Sequence, residues 1–178
     1  MGTRILLLRG VNLAARNRVS MPQLRSLLEQ AGFADVRTYL QSGNVVLRSD
    51  REPERVARAC EQLLARALGL DVAVLVRTRA QLAAVVRRNP LGAVANDPKR
   101  YQVTFLAAPL PAATVRKLEA ARTEPEQLVV VRHELYAWHP HGVARSRLWT
   151  MLAGKGLGVT ATSRNWTTVE ALHELASA

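Results

Sequence analysis

The chain has 178 residues, of which 48% are hydrophobic and 22% charged, a composition that supports a buried core and excludes a disordered protein. Its formal net charge of +11 favours an anionic partner, such as nucleic acid or a phosphorylated small molecule. All basic residues except Lys99, Lys117 and Lys155 are arginines, and they are spread along the chain. A compositional bias toward arginine is therefore the alternative explanation of the charge.

The apolar runs and the cysteine content of the sequence exclude further classes of protein. The first apolar run, residues 3–9, is too short for a signal peptide, and no apolar run approaches the roughly 18 residues that a membrane span needs. We therefore expect a cytoplasmic protein. The single cysteine, Cys60, excludes an internal disulfide and a multi-cysteine metal site. Because Cys60 lies on an apolar stripe at helical spacing, we expect it to be buried in the core.

The first half of the chain alternates between strand and helix patterns. Ser20 is a helix-capping residue, Gln23 follows at capping-box spacing, and Gly32 is suited to ending the helix. Residues 41–44 carry the glycine and asparagine of a tight turn between two apolar runs. The pattern predicts a strand over 3–9, a helix over 20–32, strands over 36–40 and 45–48, a helix over 53–68 and a strand over 72–76. This βαββαβ order is that of a ferredoxin-like unit.

The same order returns in the second half. A helix is predicted to start near Thr78-Arg79 and to stop before Asn89-Pro90, followed by a linker over 91–99 that lacks periodicity. Beyond it the pattern predicts strands over 101–107, 127–132, 135–139 and 159–162, helices over 111–121 and 145–152, and a closing helix from Ser163. We therefore predict an α+β protein of two tandem ferredoxin-like βαββαβ units, each followed by an extra helix, with units at 1–90 and 100–178. The inserted hairpins argue against a doubly wound parallel sheet.

Three short motifs carry a family resemblance. They are Arg9-Gly10-Val11-Asn12, Gln41-Ser42-Gly43-Asn44 and, near the end of the chain, Arg164-Asn165-Trp166. In this order they closely resemble the bacterial domain-of-unknown-function family 1697, and the resemblance spans almost the whole chain. It implies a duplicated ferredoxin-like fold and brings no activity, cofactor or catalytic residue. Where relatives tend to have Ser-Lys-Leu this chain has Ser146-Arg147-Leu148, so a role that needs a titratable lysine is not expected there.

One end of the first predicted sheet gathers polar and basic residues. In a ferredoxin-like unit the first two strands run parallel, so the loop after the first strand and the 41–44 turn emerge together, beside the start of the first helix. Such an end suits an anion, because a helix N-terminus attracts negative charge. The candidate anion-binding residues are Arg9, Asn12, Arg16, Arg18, Arg25, Gln41 and Asn44. The alternative is that Gly10 and Gly43 form turns, the amides bond the backbone and the arginines are solvated.

Polar and aromatic residues of the second half suggest further hypotheses. Arg164 and Asn165 stand at the predicted start of the closing helix and join the anion-binding candidates, although Asn165 alternatively caps that helix. Trp166 is expected to anchor the core, not to stack on a base, since the sequence lacks the aromatic strands of single-strand binders. His139 and His141 share one face of an extended segment, but no acidic or cysteine partner follows at metal-ligand spacing. We predict no metal site and no cofactor.

The sequence is compatible with three hypotheses about function. The leading one is a basic, cytoplasmic module that binds a phosphate-bearing ligand, nucleic acid included, and acts without catalysis. The second is an enzyme that acts on a small anionic substrate in the cleft between the two units, although no catalytic motif is found. The third is an interaction protein whose motif residues are structural. No membrane partner is expected, and the sequence does not fix the oligomeric state.

Overall fold

The computed structural model describes residues 1–13, 17–154 and 156–178. The chain divides into two compact units, one formed by Met1–Ala84 with Ala171–Ala178 and the other by Val85–Glu170. The domain boundaries expected from the sequence, with a linker at 91–99, stay a prediction. Within the described part of the chain, no helix combines the length and apolarity that crossing a membrane requires.

The first half of the chain builds a four-stranded sheet with helices between its strands. The elements are β1 (Gly2–Leu8), α1 (Met21–Gln30), β2 (Ala34–Tyr39), β3 (Asn44–Ser49), α2 (Pro53–Leu68), β4 (Val74–Thr78) and α3 (Arg79–Arg88). The strand order in the sheet is β2-β3-β1-β4. Because β1 and β2 both pair with β3 in antiparallel fashion, they run in the same direction.

Alternation along the strands places the core of this unit on one sheet face. Leu6 and Leu8 of β1 lie in the same buried cluster as Val45 and Leu47 of β3. Buried residues of α1 and α2, including the fully buried Cys60, complete that cluster. Local signals set the helix ends, since the Ser20 side chain caps α1 and Gly69 ends α2 in the left-handed conformation.

The second half repeats this element order. Its elements are β5 (Tyr101–Leu106), α4 (Ala112–Ala121), β6 (Gln127–Val131), β7 (Glu134–Trp138), α5 (Arg147–Ala153), β8 (Ala161–Asn165) and α6 (Trp166–Ser177). The sheet order β6-β7-β5-β8 corresponds strand for strand to that of the first sheet. A separate buried cluster includes Leu106, Leu118, Leu135 and Leu148.

The α+β class is confirmed, and the doubly wound parallel alternative is excluded because every strand pair in both sheets is antiparallel. The helix expected to start near Thr78-Arg79 begins at Arg79, directly after Thr78 ends β4. The predicted start of the closing helix was wrong. That helix was expected from Ser163, whereas Ser163 and Asn165 pair with β5 as part of β8. There, sheet pairing extends the strand beyond its apolar residues.

Candidate functional site

The candidate site lies at one end of the first sheet, which we call the rim: the end of β1, the β2–β3 turn and the start of α1. Leu7 pairs with Asn44 across the sheet, and the Leu8 amide donates to the Gly43 carbonyl at 2.9 Å. Gly43 itself has a φ of +77°. The loop after β1 and the turn therefore emerge at the same end, as the sequence predicts.

Asn12 ties these two loops together. Its Nδ2 donates to the Gln41 carbonyl at 2.6 Å and to the Val19 carbonyl at 2.8 Å. Its Oδ1 accepts a hydrogen bond from the Val19 amide at 2.9 Å. Because both ends of the amide are engaged with the backbone, Asn12 serves to hold the rim in shape and has little capacity left for a ligand.

Asn44 is likewise directed inward. It is fully buried, and its Nδ2 donates to the Tyr39 carbonyl at 3.0 Å and to Ser42 Oγ at 2.9 Å. These contacts close the β2–β3 turn from inside. A buried amide with such partners stabilises the turn and does not face solvent as a ligand donor.

An open depression of about 540 Å³ occupies the rim. It is lined by Asn12, Arg18, Val19, Ser20, Gln23 and Gln41, all described by the structure and none of them a carboxylate. The Arg18 and Gln41 side chains are exposed there. Of the other candidates, Arg25 is exposed on α1, Arg9 is partly buried, and Arg16 lies outside the described residues.

The start of α1 offers fewer hydrogen-bond donors than a helix N-terminus usually does. Pro22 in the first turn has no amide hydrogen, and the Gln23 amide is taken by Ser20 Oγ at 3.3 Å. The helix therefore contributes its electrostatic field to the rim but not a cradle of free amides. Side chains, above all Arg18, supply the charge.

Arg164 and Asn165 lie at the end of β8 in the second unit. Arg164 is 8% exposed, and its Nη1 donates to Thr162 Oγ1 at 2.7 Å and to the Ser163 carbonyl at 2.8 Å. Burial lowers the pKa of this guanidinium to about 10. Asn165 Oδ1 accepts from the Thr168 amide at 2.9 Å, so the capping alternative is confirmed. Both side chains have structural contacts within their own unit.

Trp166 is a core residue, as the sequence predicts. It is 6% exposed, and its ring stacks on Tyr101 with the ring centroids 4.8 Å apart. A ring held in this way is not available as a platform for a nucleic-acid base.

A buried His139–Glu126 pair in the second unit escaped the sequence analysis. His139 Nδ1 lies 2.8 Å from Glu126 Oε1, and Glu126 Oε2 accepts from the Thr123 amide at 3.0 Å. Burial by itself would raise the pKa of Glu126, but hydrogen bonds from Ser146, Thr123 and His139 outweigh it, and the pKa lies below its ordinary value.

The other nitrogen of this imidazole, His139 Nε2, is buried and has no hydrogen-bond partner among the described residues. His141 is exposed, and no group of three or more potential metal ligands occurs in the described part of the chain. The signal for the pair was present in the β6–β7 hairpin. Gln127 pairs with Trp138, so extending that register by one residue sets Glu126 opposite His139.

Comparison with known proteins identifies a similar solved structure and a protein family. No curated protein gives a significant sequence match. The solved structure of the conserved bacterial protein SP0830 from Streptococcus pneumoniae is similar over 98% of each chain, with a TM-score of 0.80 and 20% sequence identity. At that identity the likeness shows a shared fold. The family model described as "Protein of unknown function (DUF1697)" matches residues 1–136, and the chain therefore belongs to that family.

Proposed function

We propose that the rim binds the phosphate group of a ligand, either a phosphorylated small molecule or nucleic acid. The observation that supports this is the depression lined by the guanidinium of Arg18 and the amides of Gln23 and Gln41, without a carboxylate in its lining. The first carboxylate in the sequence is Glu29, so the segment that builds the rim has no acidic residue to neutralise its arginines. A phosphate placed there meets a guanidinium and side-chain amide donors, and no carboxylate among the lining residues.

Hydrogen bonds among the described rim residues support the same proposal. The three Asn12 hydrogen bonds hold the loop after β1 against Gln41, and the buried Asn44 fixes the turn that carries Gln41. A site whose binding residues are already held in place loses less conformational entropy when a ligand binds. Arg18 and Gln41 therefore stand on a prearranged frame.

The lining also indicates which part of a ligand is recognised. No aromatic side chain lines the rim depression, so it lacks a surface on which a base could stack. A guanidinium recognises phosphate oxygens through paired, charge-assisted hydrogen bonds. We therefore expect binding that depends on the phosphate group and discriminates little between bases.

The test is titration calorimetry at low salt with inorganic phosphate, and retardation of duplex and single-stranded DNA across a salt series. We expect Arg18→Gln to weaken phosphate binding about 10-fold or more, since a charge-assisted hydrogen bond contributes about 1.5–3 kcal/mol. The matched control is Arg55→Gln, which removes the same charge from the exposed side of α2.

Two results would contradict the proposal. One is the absence of saturable binding by any of the three ligands to the parent protein. The other is an equal loss in the Arg18 and Arg55 variants, which would indicate attraction by net charge alone. If DNA is the ligand, its affinity should fall with salt at a log–log slope of roughly −0.9 per phosphate contact, whereas phosphate binding alone indicates a small molecule.

We also infer that each unit is a ferredoxin-like fold. Two observations support this inference. Each half has the βαββαβ order, and in each sheet the first strand lies between the third and the fourth, while the third also pairs with the second. A crystal structure that paired either hairpin differently would contradict it.

A further inference from the structure

The opposite end of the first sheet carries a second depression, of about 510 Å³, which we call the basal depression. It is lined by four arginines from four different elements: Arg4 of β1, Arg37 of β2, Arg48 of β3 and Arg79 of α3. None of these arginines was a candidate anion-binding residue in the sequence, because they are far apart along the chain. Strand pairing brings them together.

Two of the arginines are held by backbone carbonyls. Arg4 Nε and Nη2 both donate to the Arg51 carbonyl, at 3.2 and 3.0 Å. Arg48 Nη2 donates to the Met1 carbonyl at 3.4 Å. A carbonyl oxygen fixes the position of a guanidinium without cancelling its charge, so both groups keep their full attraction for an anion.

Arg37 has an unused donor. Its Nη2 pairs with Asp35 Oδ2 at 3.2 Å, while its Nε is buried without a hydrogen-bond partner among the described residues. An unsatisfied buried N–H of a charged group is costly, and a bound anion would relieve that cost. Asp35 is also the sole side-chain carboxylate among the residues that line the basal depression, all of which the structure describes.

Arg79 is positioned by the start of its helix. The Thr78 amide donates to Gln81 Oε1 at 2.8 Å, and the Gln81 amide donates to Thr78 Oγ1 at 3.2 Å. This reciprocal cap fixes Arg79 as the first residue of α3, next to the last pair of β1 and β4. The backbone of Arg79 is thereby fixed, and its exposed side chain lines the depression.

We propose that the basal depression is a binding site for a small polyanion with two or more adjacent phosphate groups. Four guanidinium groups face one side-chain carboxylate and the terminal carboxylate of Ala178 there, and bound negative charge would relieve their mutual repulsion. A single phosphate would leave most of that charge uncompensated, whereas a di- or triphosphate group matches it. The lining has no aromatic side chain, so the site recognises the phosphate chain and not a base.

This site is separate from the rim and does not depend on it. β1 runs from the basal depression to the rim over seven residues, a length of about 23 Å at roughly 3.3 Å per residue. The lining residues of the two depressions do not overlap. Variants at one end therefore leave the other end intact, and each proposal can fail alone.

The experiment is titration calorimetry of the full chain with sodium tripolyphosphate and, separately, with orthophosphate, at low salt. We expect the parent protein to bind tripolyphosphate more tightly than orthophosphate. Arg37→Gln combined with Arg48→Gln should weaken tripolyphosphate binding roughly 100-fold, which corresponds to two lost charge-assisted contacts. The same loss is expected when both changes are made in the Arg18→Gln background, which removes the proposed phosphate contact of the rim.

The control with equal loss of charge is Arg55→Gln combined with Arg58→Gln, two exposed positions on α2 that do not line the depression. Because Arg37 and Arg48 make intramolecular bonds, Arg79→Gln provides a second variant that removes an exposed side chain, and it should weaken binding about 10-fold. The proposal is overturned if the parent shows no saturable binding, if the α2 control loses as much affinity, or if the Arg79 variant binds as the parent does.

Discussion

Replacement of Glu126 by alanine should destabilise the protein by about 3–5 kcal/mol, the cost of breaking a buried ionisable pair by removing one partner. Glu126 accepts the Thr123 amide at 3.0 Å and lies 2.8 Å from His139 Nδ1, and its side chain is 9% exposed. Its removal leaves the Ser146 hydroxyl, the Thr123 amide and His139 Nδ1 without this partner, at about 1–3 kcal/mol for each group that water does not reach. Against a total stability of about 5–15 kcal/mol this is a large fraction.

A second variant separates the pair from ordinary packing. His139→Phe keeps a ring beside Trp149, whose centroid is 5.9 Å from that of the imidazole, and it removes the unpartnered Nε2. Glu126 retains its bonds to Thr123 and Ser146 in this variant, so the loss should be about 1–2 kcal/mol. Urea unfolding of both single variants and the double variant gives the coupling energy, which we expect to be at least about 1 kcal/mol. Additive losses, or a Glu126→Ala cost below about 1 kcal/mol, would refute the reasoning.

The same pair predicts a pH dependence. Because the folded-state pKa of Glu126 is lower than its ordinary value of 4.5, the unfolded chain binds the proton first. The stabilising contribution is therefore fully present above that ordinary value and is lost as the pH falls through the folded-state pKa. The unfolding midpoint of the parent should drop over this acid range, and that of Glu126→Gln should drop less steeply. Parallel curves for the two proteins would contradict the assignment.

Two further predictions concern single residues of the first unit. Cys60 is fully buried, and burial together with the nearby Glu61 raises its pKa to about 12, so a thiol reagent should label it only as fast as the protein unfolds. Rapid labelling of the native protein would contradict this. Gly43→Ala should cost more than Gly32→Ala, whose cost is about 1 kcal/mol, because both have positive φ but only at Gly43 would a Cβ lie 2.5 Å from a Val11 methyl. Urea unfolding measures both, and equal losses would show that the turn relaxes.

Elements with local signals at both ends were predictable from the sequence. The bounds of α2, residues 53–68, follow from Pro53 in the first turn and Gly69 at the C-cap. β8 lacked such signals, because its residues Ser163 to Asn165 resemble a helix start. They form a strand since they pair with the central strand β5, where Ser163 Oγ lies 2.8 Å from Thr104 Oγ1. That contact joins residues far apart in sequence, and no local pattern reports it.

The candidate site was predictable in place but not in detail. The parallel direction of β1 and β2 sets the loop after β1 beside the 41–44 turn, and topology alone was enough to infer it. The backbone conformation decides which polar side chains face solvent, and that conformation could not be predicted from the sequence. Asn12 has a left-handed backbone with φ of +53°, and its amide bonds both loops.

The motif asparagines and the arginines proposed to contact a ligand are therefore different residues, whereas the motif residue Gln41 lines the rim depression itself. The side-chain amides of the motif asparagines, Asn12, Asn44 and Asn165, form hydrogen bonds with backbone groups and with the Ser42 hydroxyl. Arg164 is buried in its own sheet. The exposed positive charge of the rim is carried by Arg18, and that of the basal depression includes Arg79. A variant at a motif asparagine removes a structural bond first, so any loss of binding that it causes would be indirect. Substitutions at the exposed arginines leave those bonds in place, and they are the ones that test binding itself.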